Sequence, residues 1–196
     1  YARSLRHESP DADYAAASVM PTTYVFPNRP ESFVVLTDAV ARNPRDATAH
    51  FLLGSLHLSS GNTDAAIKSW ELAASLNPAI PTLHRNLGLT LLERGGADID
   101  KAIAVLRDGT KYDPRNVGVY TGLEEALARA KRPAAERADA LLSFPDQKAL
   151  PAALVYKLAT ALAQAERFDE AEKQFAGRFF PREEGGINVR QIWLDV

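Results

Sequence analysis

His50-x-x-Leu53-Gly54 returns 34 residues later as His84-x-x-Leu87-Gly88. Asn43-Pro44 returns at the same interval as Asn77-Pro78 and, two residues late, as Asp113-Pro114. Between the prolines lies a second recurring block, Ala66-Ile67 with Trp70 in one copy and Ala102-Ile103 with Leu106 in the next. A fixed period of this size marks a repeat architecture. Each unit is one supersecondary element that cannot bury its apolar face alone, so it stacks on its neighbours and builds an extended surface.

The residues inside the period are those of paired helices. Phe51, Leu53 and Leu56, and then Trp70, Leu72 and Leu76, recur at helical rather than strand spacing. Gly54 and Gly88 cost about 1 kcal/mol each in a helix interior relative to alanine. They therefore point to places where a second helix must come close, and Ala66, Ala73 and Ala102 serve the same approach from the other side. Leu53, Gly54, Leu87, Gly88, Ala66 and Ala102 are the expected helix–helix contacts. Gly61-Asn62-Thr63-Asp64 ends one helix and caps the next, Asp98 and Asn116 are further cap candidates, and Asn28-Arg29-Pro30-Glu31 has the form of a capping box.

The pattern resembles the tetratricopeptide repeat, a 34-residue helix–turn–helix unit with a W-x2-L-G-x2-Y…A-x3-F…P signature. Residues 47–80 carry His50 in the Trp slot, then Leu53, Gly54, His57, Ala66, Trp70, Ala73 and Pro78. Residues 81–116 carry His84, Leu87, Gly88, Leu91, Ala102, Leu106 and Pro114, with two extra residues in the internal turn around Gly95-Gly96. Residues 117–151 keep Tyr120, Leu123 and Leu127, but Glu124 replaces the glycine and Pro133 shortens the second helix. Residues 152–181 keep Val155, Leu158, Ala159, Leu162, Ala171 and Phe175, and residues 31–46 fit the second helix of an earlier unit. The resemblance implies an all-α, right-handed tetratricopeptide solenoid over residues 31–181. Residues 1–30 then form an extended segment, and residues 182–196 begin a further, truncated repeat.

Composition narrows the function classes. The net charge of −2 lacks the basic excess of a nucleic-acid surface. No apolar run is long enough to cross a membrane, and the absence of cysteine removes disulfides, thiolate chemistry and cysteine-ligated zinc. That usage fits the cytosol and the periplasm equally. His50 and His57 lie two turns apart with no H-E-x-x-H pattern, and they occupy slots where the family packs aromatic rings, so packing rather than metal binding is their expected role. Ser55 follows Gly54 without a nucleophile elbow, and Gly95-Gly96 lacks the lysine of a phosphate loop. Glu124-Glu125 and Glu183-Glu184 read as solvated faces, since neighbours on a helix do not share one. We therefore expect no catalysis, cofactor or metal in this chain.

The two ends carry their own expectations. Pro21 to Pro27 reads as extended, and its Tyr24, Val25 and Phe26 would cover the first helices of the array. Ile187 to Val196 fits a strand or a helix, and the repeat phase favours the helix. An unfinished last repeat would expose Ile192 and Trp193 and promote weak self-association through the C-terminal end. Pro81 to Gly88 and Phe180 to Gly186 also resemble a group of large bacterial proteins, in which tetratricopeptide repeats follow a β-sandwich similar to carbohydrate-active enzymes. That second resemblance implies an accessory role beside a catalytic domain of the same polypeptide, as the alternative to a free-standing scaffold.

Members of the tetratricopeptide family line a concave face with slots 2, 5, 9, 12 and 13 of each first helix. On that resemblance the partner-binding residues are Phe51, Ser55, Leu58, Arg85, Asn86, Leu89, Glu93, Glu125, Tyr156 and Thr160. The subtype that clamps a C-terminal carboxylate uses a set of basic residues and asparagines, of which only Asn86 is matched here. The expected partner is thus a protein or peptide offering an extended or helical segment with apolar anchors, and neither nucleic acid nor membrane.

Overall fold

The computed structural model describes residues 30–176, without the side chains of Pro30 and Glu31. Every regular element among the described residues is a helix. In chain order they are α1 Pro30–Arg42, α2 Ala47–Ser59, α3 Thr63–Leu76, α4 Leu83–Arg94, α5 Asp98–Tyr112, α6 Val117–Arg129, α7 Ala134–Leu142, α8 Ala152–Gln164 and α9 Phe168–Lys173. The fold class is that of an all-α helical-repeat solenoid. Compact packing divides the described residues into two units, with the division between Thr90 and Leu91. The extended segment, the capping box and the C-terminal repeat start expected above lie outside the described residues.

In the first unit, α1 packs on α2 and α2 on α3. The hairpin α2–α3 closes on one close approach. A Cβ built on Gly54 would lie 2.6 Å from Trp70 Cδ1 and 2.7 Å from its Nε1, distances that real Cβ atoms do not reach. Trp70 is fully buried in that space, and its indole N–H donates to the Phe51 carbonyl at 3.0 Å. Ala66, Ala73 and Ala49 are also fully buried. Leu53, expected in the same contact, is only half-buried, and Leu72 of α3 faces outward.

The Asn-Pro punctuation has a shared geometry. Asn43 Oδ1 accepts from the Arg45 amide at 3.3 Å, and Asn77 Oδ1 from the Ala79 amide at 3.0 Å. Both are Asx turns, in which the side chain stands in for a backbone carbonyl. Asp46 then caps α2 by accepting from the Ala49 amide at 3.0 Å. His50 sits one turn into the helix, buried, with Nε2 2.9 Å from the Pro44 carbonyl. It thus ties the helix back to the turn that precedes it, a packing role. Of the expected caps, Asn116 caps α6 by accepting from the Gly118 amide at 3.1 Å. Asp98 does not cap. It is the first residue of α5 and pairs instead with Arg94 at 3.0 Å.

In the second unit, α6 packs on α5, α7 and α8, while α8 also packs on α7 and α9. Its core is rich in small residues, with Ala126, Ala138, Ala159, Ala161 and Ala171 fully buried among Leu127, Leu141, Leu154, Leu158 and Leu162. Tyr120 meets Phe144 edge-on at 5.1 Å, a favoured arrangement of the two ring quadrupoles. Burial also pushes the Tyr120 phenol above its ordinary pKa. Pro133 stands at the N-cap of α7 and holds it to nine residues. The short helix is closed by Gln147, whose Nε2 donates to the carbonyls of Leu141, Leu142 and Phe144 at 3.2, 3.1 and 2.9 Å.

One turn geometry recurs in both units. After α2, Gly61 has φ 78, its amide donates to Leu58, and the Asn62 amide reaches back to His57. After α6, Lys131 has φ 53, with the same pair of bonds to Ala128 and, from Arg132, to Leu127. After α8, Glu166 has φ 60, with bonds to Ala163 and, from Arg167, to Leu162. This is the Schellman termination, which requires one left-handed residue. Only the first copy gives that position to glycine.

Two predictions follow from this packing. Gly54→Ala should lower unfolding free energy by about 1–3 kcal/mol through overpacking against Trp70, and Gly54→Leu by more. Restoring the space in a Gly54→Ala, Trp70→Leu double variant should leave less than the sum of the two single losses in urea titrations. Lys131→Gly and Glu166→Gly should each raise stability, by up to about 1 kcal/mol, because left-handed backbone strains a residue with a Cβ. A lower midpoint in either glycine variant would contradict that account.

Candidate functional site

The first helices of the repeats place the expected binding residues as follows. In the first unit, α2 presents Ser55 half-buried, its hydroxyl donating to the Phe51 carbonyl at 3.1 Å. Leu58 is 38% exposed. Phe51 itself is 4% exposed, so its ring belongs to the core while its carbonyl takes the Trp70 and Ser55 hydrogen bonds. On α4, Arg85, Asn86 and Leu89 are half-buried. Asn86 Oδ1 accepts from both Arg85 Nε at 3.2 Å and Arg85 Nη2 at 3.0 Å. That pair of bonds fixes the amide orientation, because the guanidinium can only donate, and it leaves the Asn86 amide nitrogen as a donor. Glu93 is exposed further along the same helix.

In the second unit, α6 presents Glu125, engaged by Arg129 of the next turn. Arg129 Nη1 also donates to the Leu92 carbonyl at 3.2 Å. On α8, Thr160 is half-buried, whereas Tyr156 is 4% exposed and packs inward. The structure thus leaves Ser55, Leu58, Arg85, Asn86, Leu89, Glu93, Glu125 and Thr160 with solvent access. It takes Phe51 and Tyr156 out of the accessible set.

His57 lies on the first helix of its repeat, half-buried, with its ring 5.2 Å from that of Phe33 on α1. Its Nδ1 is buried without a hydrogen-bond partner among the described residues. Desolvation lowers its pKa and so favours the neutral imidazole, which packs against the Phe33 ring. Among the described residues no cluster of histidine, aspartate and glutamate is arranged to hold a metal ion. Nor is any helix there long and apolar enough to cross a membrane.

Glu124 corrects the sequence reading. It is 3% exposed rather than solvated. Its Oε1 accepts from Arg137 of α7, with the Nε bond at 3.0 Å, and its Oε2 accepts from Lys157 of α8 at 2.6 Å. Arg137 Nη1 reaches on to Gln164 Oε1 at 2.9 Å. One carboxylate on α6 therefore binds two further helices of the second unit through two cations. Sequence reasoning found the missing glycine at this position but not what had replaced its packing. The signal was a charge in an otherwise apolar slot, opposite a helix that Pro133 had shortened.

The described residues form successive helix–turn–helix pairs, and the comparisons with known proteins show what they are similar to. Residues 35–81 match the model described as tetratricopeptide repeat. The Hsp70-Hsp90 organizing protein 1 of Glycine max is 26% identical over 103 residues, which are 53% of this chain and 18% of that protein. The chain thus spans less than a fifth of the length of that relative. Among solved structures, one of MamA superposes with a TM-score of 0.55 at 15% identity, covering 73% of this chain and 82% of that one. A MamA RS-1 double mutant gives 0.56 at 15% identity over 98% and 90%. A segment of MamA from Desulfovibrio magneticus RS-1 gives 0.53 at 16% identity over 88% and 85%. At these identities the likeness to MamA is one of fold.

The Glu124 arrangement makes a sharp prediction. Glu124→Gln leaves two cations facing each other across helices and should cost on the order of 3 kcal/mol, the low end for a broken buried pair because Lys157 keeps a third of its side chain in water. Replacing the set together, as Glu124→Leu with Arg137→Met and Lys157→Met, should recover most of that loss in chemical denaturation. A triple variant no better than Glu124→Gln would show that shape, not charge pairing, holds the three helices.

Proposed function

We propose that this chain is a protein-interaction scaffold that holds a peptide or partner domain against its first-helix faces and carries out no chemistry itself. The observation that carries the reading lies on the first helices, which bury one face in the core, with Ala49, Phe51, Leu52 and Leu56 of α2 all buried, and keep other side chains accessible. Among the accessible ones are Leu58 and the Arg85–Asn86 pair. Apolar contact with a few oriented polar groups is how such helical faces take up a segment of another protein. The curated relative organizes Hsp70 and Hsp90 according to its name, which supports a bridging role by analogy of repeat type. The partner then lies against accessible Leu58, Ser55, Arg85, Asn86 and Leu89 of the first unit.

The test is a display library of short random peptides selected against the whole chain. Leu58→Asp and Arg85→Glu should each weaken the selected binders at least about tenfold, a loss of roughly 1.4 kcal/mol. Leu72→Asp, at a comparably exposed leucine on the second helix α3, should leave them unchanged. Equal losses at all three positions, or a library that yields no binders, would refute the first-helix face as the binding surface.

A further inference from the structure

Arginines within the described helices have a common habit. Arg42 pairs with Asp38, Arg94 with Asp98, Arg107 with Glu136, Arg129 with Glu125 and Arg137 with Glu124. Arg85 is the exception. It is half-buried in α4, and its bonds are to the neutral Asn86 oxygen. A neutral amide oxygen is a weaker partner for a guanidinium than a carboxylate, and the charge of Arg85 has no counter-charge bonded to it among the described residues.

The geometry of that bond matters as much as the charge. Asn86 occupies the edge formed by Nε and Nη2. Of the five guanidinium hydrogens, this leaves the pair on the far edge, one on Nη1 and one on Nη2, side by side. That edge matches a carboxylate in the two-point geometry that makes arginine–carboxylate bonds strong and directional. Asn86 also stops the guanidinium from rotating, so part of the ordering cost of binding is already met. Leu89 lies one turn along the same helix face, where an i, i+4 neighbour stands beside Arg85.

We propose that Arg85, held by Asn86, is the receptor for an acidic side chain inside the partner segment, with an apolar residue of that segment seated on Leu89. The inference rests on the scaffold reading above and names the partner's chemistry: an internal aspartate or glutamate next to an aliphatic residue. Among the described residues no acid of the chain's own occupies the site, which is the arrangement electrostatic selection of a partner needs.

The experiment uses the full chain and an array of short random peptides, acetylated and amidated so that only side chains carry carboxylates. Binders should be enriched in aspartate or glutamate adjacent to leucine, isoleucine or valine. Replacing that acid by its amide should weaken binding roughly ten- to hundred-fold. Arg85→Gln should abolish the preference. Asn86→Asp should abolish it too, by supplying the missing carboxylate from within while keeping the arginine and the helix. Melting temperatures close to the parent would show that both variants fold. Binders with no acidic preference, or a preference that survives in both variants, would overturn the role of Arg85 and leave the scaffold reading standing. A parallel array with free C-termini is the other arm: binding that needs the terminal carboxylate would overturn the internal acid as its source. An array with no binders at all would overturn both readings.

Discussion

The first unit depends on a single steric constraint, the absence of a Cβ at Gly54. Without it, the Trp70 indole could not lie against the backbone of α2, and its N–H could not reach the Phe51 carbonyl. The contact combines two effects that usually compete. A large ring buries its apolar area completely, and its one polar atom is satisfied without admitting water. Because Phe51 is one helical turn before Ser55, the same carbonyl also takes the serine hydroxyl. Such back-bonding keeps the hydroxyl bound within its own turn. Of the side-chain bonds to this carbonyl, the Trp70 bond joins α2 to its partner helix and the Ser55 bond stays within α2.

The second unit reaches a close-packed helical arrangement by a different route. Its α6 has Glu124 where α2 has Gly54, so a bulky ring cannot approach in the same way. The shortened α7 brings Arg137 instead, and α8 brings Lys157. Buried charges add little net stability over a well-packed apolar set. They do demand one arrangement, because each oxygen and each cation must find its partner. Close approach in this unit is left to alanine, which fills the contacts between α6, α7 and α8 without steric demand. The cost of the degraded repeat is thus moved from shape to electrostatics.

The fold was legible because its signal is redundant. The glycines and the Asn-Pro turns recur 34 residues apart and the small residues opposite them 36, and Gly54, the buried alanines and the two Asn-Pro turns reappear as helix contacts or terminations. What escaped the sequence were properties that depend on neighbours distant in the chain. Glu124 looked solvated because Arg137 and Lys157 are 13 and 33 residues away. Leu53 matched its slot and is nonetheless half-buried, since the slot pattern records family-wide packing and not the width of this particular contact. Asp98 looked like a cap and became an ion-pair partner, because Gly95 and Gly96, both with positive φ, already form the turn. Lys131 and Glu166 gave no sign of left-handed backbone, since nothing in their side chains favours it.

The binding residues were legible in another sense: slot numbers indicate helix faces but not burial. Phe51 and Tyr156 occupy the assigned slots and are buried in the core, so neither ring is available at the surface. The remaining face of the first unit is small, aliphatic and singly charged. On such a surface affinity has few sources, because Leu58 and Leu89 offer limited apolar area and exposed polar contacts exchange readily with water. A guanidinium already oriented by Asn86 and lacking a carboxylate is the group whose environment would change most on binding. On the proposed scaffold function, specificity would rest less on the repeat, which is spent on holding helices together, than on Arg85, the one arginine of the described helices without a carboxylate partner.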